Sequence, residues 1–383
     1  MTETFVKYAK IDSQSNYDSI CTKGQHGMAL SLLADVKDAI ASSGAKGVDV
    51  SLSDENYLYV DIPSNVKKAC PVLGISCHLD VTPEAPGGNI VPIIDNVNGR
   101  DIIRTDGSTL LGADDKCGCT IAMELIRNVL SDKELRHGRL QFAFCPNEDV
   151  GRAADAIDSQ KFNPDILFDI DGSGGEEVTR SNFTARGLNL KFIGNDAHPS
   201  KAKKLKLGDA TAAAATFIAA VPIAYRPENT EGLQGYIHPF GFDKQESDVV
   251  VMTRIRYFDQ DEGRRFDEIV KSAIERVKQD FPNVKVEVLY DGLQYENVAY
   301  TLHPKAKELV ENAAAKAGKT IKWMDERGGT TASMFAAKGL KGGMCIFSGQ
   351  HYAHETREYA DLQEMEEAYD LMLEIIKQIP SLE

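Results

Sequence analysis

Apolar residues recur at helical spacing over positions 26–42, and a second helix is expected over 115–130, after a glycine-containing loop. Around them stand short runs at 57–62, 72–77, 140–145 and 166–170, rich in β-branched and aromatic residues and bounded by turn formers. The 3.6 period predicts amphipathic helices and the short apolar runs predict strands. Strands and helices that alternate in this way predict an α/β sheet with helices on its faces.

The middle of the chain has another rhythm. Positions 188–193 alternate as a strand, and 209–221 form an alanine-rich helical stretch. Two strand patterns at 235–240 and 249–258 read as a pair. The segment 261–281 sets Ile269, Val270, Ala273, Ile274 and Val277 on one helical face, and 284–290 is again strand-like. The order β-α-β-β-α-β is that of the split βαβ, or ferredoxin-like, unit. A helix at 304–317 and strand-like runs near Ile321 and Met344 then resume the first pattern. The expected organisation is a discontinuous α/β domain, 1–184 and 297–383, interrupted by a small α+β domain at 185–296.

Composition narrows the class. A chain of 383 residues is long for one core, which agrees with two domains. Its formal net charge of −15 argues against nucleic acid and anionic membrane surfaces as partners. The seven cysteines include no Cys-x-x-Cys pair, and most lie in apolar runs, as Cys77 and Cys145 do. Reduced core thiols in a cytoplasmic protein are the expectation. No basic-then-apolar leader pattern opens the sequence, and no apolar run is long enough to span a membrane.

Five segments carry candidate chemistry. They are Ser76-Cys77-His78-Leu79-Asp80, Gly112-Ala113-Asp114-Asp115-Lys116, Pro146-Asn147-Glu148-Asp149, Asp169-Ile170-Asp171-Gly172 and His351-Tyr352-Ala353-His354-Glu355. Four lie just beyond a predicted strand, where open α/β sheets gather their sites. His78 and Asp80 are two apart and point the same way on extended chain. Asp114 can bridge two cations with its two oxygens, while Asp115 suits the start of the following helix. In Glu148-Asp149 one acid can bind metal while the other holds a water. Taken singly, each segment is also compatible with a capped helix, an acidic turn or an exposed histidine. Together they form the inventory of a hydrolytic two-metal site, and zinc accepts imidazole and carboxylate alike. Cys77 alternates with His78 and should face the core. Gly172 to Gly175 lacks the spacing of a phosphate loop.

With these motifs the chain resembles, nearly end to end, the peptidase T family of tripeptide aminopeptidases, within the larger group of two-zinc aminoacylase- and carboxypeptidase-like enzymes. The segments at 76–80, 105–116, 146–151, 169–172, 195–199, 327–330 and 351–355 carry the likeness. The resemblance implies an α/β zinc-peptidase domain with a central mixed sheet, interrupted by a ferredoxin-like lid and dimerisation domain. It implies two zinc ions per subunit: His78 and Asp171 on one, Asp149 and His354 on the other, with Asp114 as the bridge. Glu148 would be the general base, Asp80 would orient His78, and His198 would act in the partner subunit's site. Arg256 and Arg327 would take the substrate's terminal carboxylate.

The implied protein is a cytoplasmic homodimer that removes the N-terminal residue from short peptides, tripeptides first, by water attack. A dipeptidase or N-acyl amino acid amidohydrolase of the same family, or a metal-dependent peptide binder without turnover, are the alternatives. The chain departs from the family in having Glu148-Asp149 where a Glu-Glu pair is usual, and Thr331-Ala332 where Asp-Gly is usual.

Overall fold

The computed structural model describes residues 1–195 and 198–382. By its internal contacts the chain divides into two compact units, one of Met1–Ser181, Val298–Asp325 and Thr330–Glu383, the other of Asn182–Asn297 and Glu326–Gly329.

The first stretch of chain runs α1 (Thr2–Ala9), α2 (Lys23–Ser43), β1 (Asp49–Leu52), β2 (Leu58–Ile62), β3 (Leu73–His78), β4 (Ile93–Val97), β5 (Arg100–Arg104), α3 (Ala113–Ser131), β6 (Leu140–Cys145), β7 (Ile166–Gly172) and β8 (Glu177–Asn182). The inserted stretch runs β9 (Thr184–Ile193), α4 (Ala202–Leu205), α5 (Ala210–Ala220), β10 (Tyr236–Gln245), β11 (Asp248–Tyr257), α6 (Gln260–Asp280) and β12 (Lys285–Tyr295). The chain ends with α7 (Ala306–Lys316), β13 (Lys322–Glu326), α8 (Thr331–Ala337), β14 (Gly343–Phe347), β15 (Gln350–His351), β16 (Tyr359–Asp361) and α9 (Leu362–Gln378).

The first unit is built on an eight-stranded mixed sheet in the order β1-β2-β6-β3-β7-β14-β8-β13. β3 is parallel to β6 and β7, and β14 is parallel to β7, while β2 meets β6 antiparallel. Every residue of β3 and β6 is buried. Central parallel strands covered on both faces lose the in-out alternation and read as continuous apolar runs. α3 is almost wholly buried, with Ile121, Ala122, Leu125 and Ile126 inaccessible, because α1, α2 and α9 pack around it on the sheet. The parallel strands β3, β6 and β7 all end at the same edge of this sheet, so the loops after them are brought together.

The second unit is a four-stranded antiparallel sheet, β10-β11-β9-β12, packed against α5 and α6. In chain order its strands and helices follow the ferredoxin-like pattern read from the sequence. Its core is separate: Leu188, Leu190, Phe192, Phe217, Val251, Phe266 and Val277 close it.

The elements expected from periodicity are present. Others were not assigned from the sequence. The β4–β5 hairpin turns on Asn98-Gly99, both with positive φ, the strongest short hairpin signal a sequence offers. α9 buries Met365, Ala368, Leu371, Met372, Ile375 and Ile376 at helical spacing. α1 and α8 have eight and seven residues, too short for a period to show. No helix among the described residues is long and apolar enough to cross a membrane.

Candidate metal centre

Three strand ends, one helix start and one loop supply the site. β3 ends on His78, whose side chain is buried. β7 carries Asp171 near its end. After β6 the backbone turns at Asn147 with a positive φ, so Glu148 and Asp149 leave the strand direction. Asn147 is held there by its own side chain, which donates to Ile20 O and accepts from Gln25 Nε2. α3 brings Asp114 in its first turn, and the loop after β15 brings His354, also with a positive φ.

The five residues proposed as ligands meet at this edge. His78 Nε2 lies 2.8 Å from Asp114 Oδ1 and 3.4 Å from Asp171 Oδ1. His354 Nε2 lies 2.9 Å from Asp149 Oδ1 and 3.3 Å from Asp114 Oδ2. Asp114 therefore gives one oxygen to each histidine. Two atoms that ligate one tetrahedral zinc at ~2.0–2.1 Å lie about 3.3 Å apart, so each trio has the dimensions of a cation's coordination shell. Asp149 Oδ2 is buried without a hydrogen-bond partner, and a cation would satisfy it. The donor set is imidazole and carboxylate, which suits zinc and its neighbours. The two halves differ in access: the His78 side chain is 1% exposed and that of His354 39%.

The electrostatics also call for a cation. Burial, seconded by the charges of Asp171, Asp149 and Asp114 and opposed by His78, pushes Glu148 well above the usual carboxylate range. Burial and Asp114 likewise push Asp149 up to about 6. Burial pushes Asp171 up to about 8 against the pull of His78. Burial works to raise Asp114 too, but His354 and His78 outweigh it and hold this carboxyl below its ordinary value. Hydrogen bonds to Asp114 and Asp149 raise His354 to about 11. The protein gathers more acids here than its two histidines can neutralise, the arrangement expected where divalent cations provide the missing charge.

Asp80 does more than face His78. Its carboxylate accepts the backbone N–H of Glu148 at 3.0 Å and of Asp149 at 3.2 Å, while Oδ1 is 3.5 Å from His78 Nδ1 and its carbonyl oxygen is nearer, at 3.2 Å. It fixes the 148–149 turn as much as the imidazole.

Other supports were not singled out from sequence as parts of the site. Asp115 starts the helix by accepting from Gly118 N, and it also accepts the His78 N–H at 3.1 Å. Glu358 accepts the N–H groups of Gly112 at 2.6 Å and Asp114 at 3.0 Å, and so anchors Asp114. Gln350 Nε2 donates to Asp171 O. Asp169 accepts from Ser76 Oγ and from Ala332 N at the start of α8. Cys77 faces the core. A further histidine–acid group, His351, Asp361 and Glu364, is already bridged by the Arg100 guanidinium.

The remaining candidates belong to the second unit. His198 is exposed, and its Nδ1 is 2.8 Å from Ser200 Oγ; its neighbours 196 and 197 in the 195–199 motif lie outside the described residues. Arg327 stacks over Phe183 and donates to Gly232 O, Gln234 O and Thr230 Oγ1. Arg256 is buried over the Tyr295 ring and donates to Arg186 O, Ile255 O and Gln294 Oε1.

Comparison with known proteins places these residues in context. Residues 74–378 match the pattern of peptidase family M20/M25/M40. Peptidase T of Listeria monocytogenes serotype 4a is 30% identical over 410 residues, covering 98% of each chain. Among solved structures, aminopeptidase PepT from Bacillus cereus superposes with a TM-score of 0.77 at 23% identity, covering 99% of this chain and 97% of its own. A dinuclear metal-binding M20 peptidase of Bacillus subtilis does so with a TM-score of 0.67 at 12% identity, covering 100% of this chain and 98% of its own.

Proposed function

This chain belongs to peptidase family M20/M25/M40, and from that premise we propose that it is a two-zinc aminopeptidase that removes the N-terminal residue from short peptides, tripeptides first. The name and the coverage of the relative from Listeria support the substrate class. The observation that carries the metal reading is Asp114, whose two oxygens each face a different histidine.

In this reading His78 and Asp171 hold one ion, Asp149 and His354 the other, and Asp114 lies between them. When bound, the ions supply Lewis acidity that lowers the pKa of water and polarises the scissile carbonyl. The chain's own residues manage the protons. Glu148 is held by Asp80 through its backbone, in a setting that raises its affinity for a proton. Its carboxylate takes a proton from the attacking water and delivers it to the leaving amide nitrogen. Asp80 and Asp115 position His78 and the 148–149 turn.

His198 contributes from the second subunit of a homodimer formed through residues 185–296, and there stabilises the oxyanion. Arg256 and Arg327 are the partners for the peptide's carboxylate. Each already donates to main-chain carbonyls, so taking a carboxylate exchanges those bonds. A cytoplasmic location agrees with seven unpaired cysteines.

The test is a panel of di-, tri- and N-acyl peptides with wild type and Glu148→Ala, with zinc content measured in parallel. Tripeptide turnover that is lost in the variant while zinc is retained is the expected result. Preference for dipeptides or N-acyl amino acids would move the assignment within the family. Near-normal turnover in Glu148→Ala would refute the mechanism.

A further inference from the structure

At the opposite edge of the eight-stranded sheet lies a cleft of about 590 Å³, lined by Asn65, Val66, Lys67, Lys68, Lys133, Arg136 and Pro380. Four of these seven residues are cations and none is an acid. That is unusual in a chain with 58 acidic and 43 basic residues. Among the described residues none of the four makes an ion pair. From the structure we infer that this cleft is a binding site for a compact phosphate dianion, free or as the phosphate of a small phosphomonoester. The inference does not depend on the peptidase reading.

The cations sit on a fixed frame. The loop after β2 is tied to the loop before β6 by Asn65: its N–H donates to His137 O, its Nδ2 donates to Leu135 O at 2.6 Å, and its Oδ1 accepts the His137 N–H at 2.9 Å. Lys133 Nζ donates to Ser43 O at the end of α2 and to Leu130 O in the last turn of α3. It thereby offsets the negative carbonyl ends of both helices, which would otherwise repel an anion. Asp132, on the same loop, is exposed and its Oδ1 accepts from Glu134 N and Leu135 N. Lys67, Lys68 and Arg136 are exposed and unpaired, free to converge on a ligand.

Size and charge select the ligand. The volume is in the range of small-molecule sites, roughly 300–1,000 Å³. The net charge of −15 disfavours extended polyanions such as nucleic acid or an anionic bilayer, whereas a compact anion feels mainly the nearest cations within a Debye length. No aromatic ring lines the cleft to stack a base, so the phosphate group itself is what the site recognises. The cleft is remote from the metal centre. α3 starts beside Asp114 and ends two residues before Lys133, and its 19 residues span about 28 Å.

The probes are inorganic phosphate and glycerol phosphate, followed by ³¹P line broadening against the purified protein at low and moderate salt. Saturable binding that weakens with salt is expected, and the tighter of the two probes identifies the source of the phosphate. Neutralising Lys67 and Arg136 together (Lys67→Gln, Arg136→Gln) should weaken it by at least about tenfold, since each unit charge ~4 Å away in water is worth about fivefold. Peptide hydrolysis should be unchanged in that variant. Absence of saturable binding would overturn the proposal. So would equal affinity in wild type and variant, which would place the anion at the metal centre instead. Co-sedimentation with phosphatidylserine vesicles that is lost in the variant, without phosphate binding, would make the cleft a membrane contact and equally overturn it.

Discussion

Replacing Asp80 by asparagine separates the two jobs of one side chain. Asp80 is fully buried, and its oxygens accept the N–H groups of Glu148 and Asp149. The asparagine carbonyl can keep one of these bonds, but its NH₂ faces the other N–H donor to donor. One buried N–H is then unsatisfied, which costs about 1–3 kcal/mol, and the surviving bond falls from charge-assisted to neutral, about 1 kcal/mol more. The sum is roughly 2–4 kcal/mol, concentrated on the turn that carries Asp149 and Glu148. Removing a negative charge from an acid-rich cluster also relieves repulsion in the metal-free protein. The sharper readout is therefore metal affinity, where loss of such a supporting carboxylate typically costs about 10–100-fold. Zinc competition against a chromophoric chelator measures it, with thermal unfolding of the metal-free protein alongside. A zinc competition curve and a metal-free melting temperature both equal to wild type would refute the argument that Asp80 holds the 148–149 turn.

Three further outcomes are expected. Glu358→Gln keeps one acceptor for the N–H groups of Gly112 and Asp114 but not both; turnover should fall at least about tenfold with a smaller loss of stability, and an unchanged kcat would count against Glu358 as the anchor of Asp114. His137 is buried and its imidazole is held below the ordinary value by desolvation, opposed by its bond to Gly138 O. Because the folded protein resists protonating it, its contribution is present above the unfolded value of about 6.5 and is lost as pH falls through the lower folded value; His137→Gln should flatten the decline of melting temperature between about pH 7 and pH 5, and an identical slope would disprove that role. Met372→Ala empties a fully buried position on α9 and should cost about 2–5 kcal/mol in denaturant unfolding, whereas a loss below ~1 kcal/mol would mean that α9 packs less tightly than described.

His78, Asp149 and Asp171 could be found in the sequence because each closes or follows a strand whose apolar run is itself conspicuous. His78 closes Ile-Ser-Cys-His, and Asp171 closes Phe-Asp-Ile-Asp. The supports were hidden for a physical reason: they act through backbone N–H groups, which no residue type advertises. Glu358 reaches Gly112 across 246 positions, and Asp80 reaches Glu148 across 68. Asn147 stands in a motif read for its two acids, and only its positive φ and its bonds to Ile20 and Gln25 show that it fixes their direction. Arg327 is the opposite case. Its motif points to substrate, while its guanidinium lies among the carbonyls of residues 232 and 234. In the fold, the periodic helices were legible from their spacing. α9 and the Asn98-Gly99 hairpin carry equally plain signals, an apolar helical period and a two-residue turn with positive φ.

The pairing of β14 with β7 joins residues 343–347 to residues 167–172. A ribosome finishes β7 long before β14 exists, and it completes the whole of 182–297 in between. The nascent first unit therefore waits with the backbone groups of one flank of β7 unpaired, on a strand whose Ile166, Leu167, Phe168 and Ile170 are buried in the finished protein. Residues 182–297, all of the second unit but Glu326–Gly329, can close during that interval. Non-local parallel pairing of this kind is slow and exposes sticky edges. Chain synthesis then sets when the molecule is most vulnerable: its yield in a cell should depend on chaperone supply until residues 343–347 have been made.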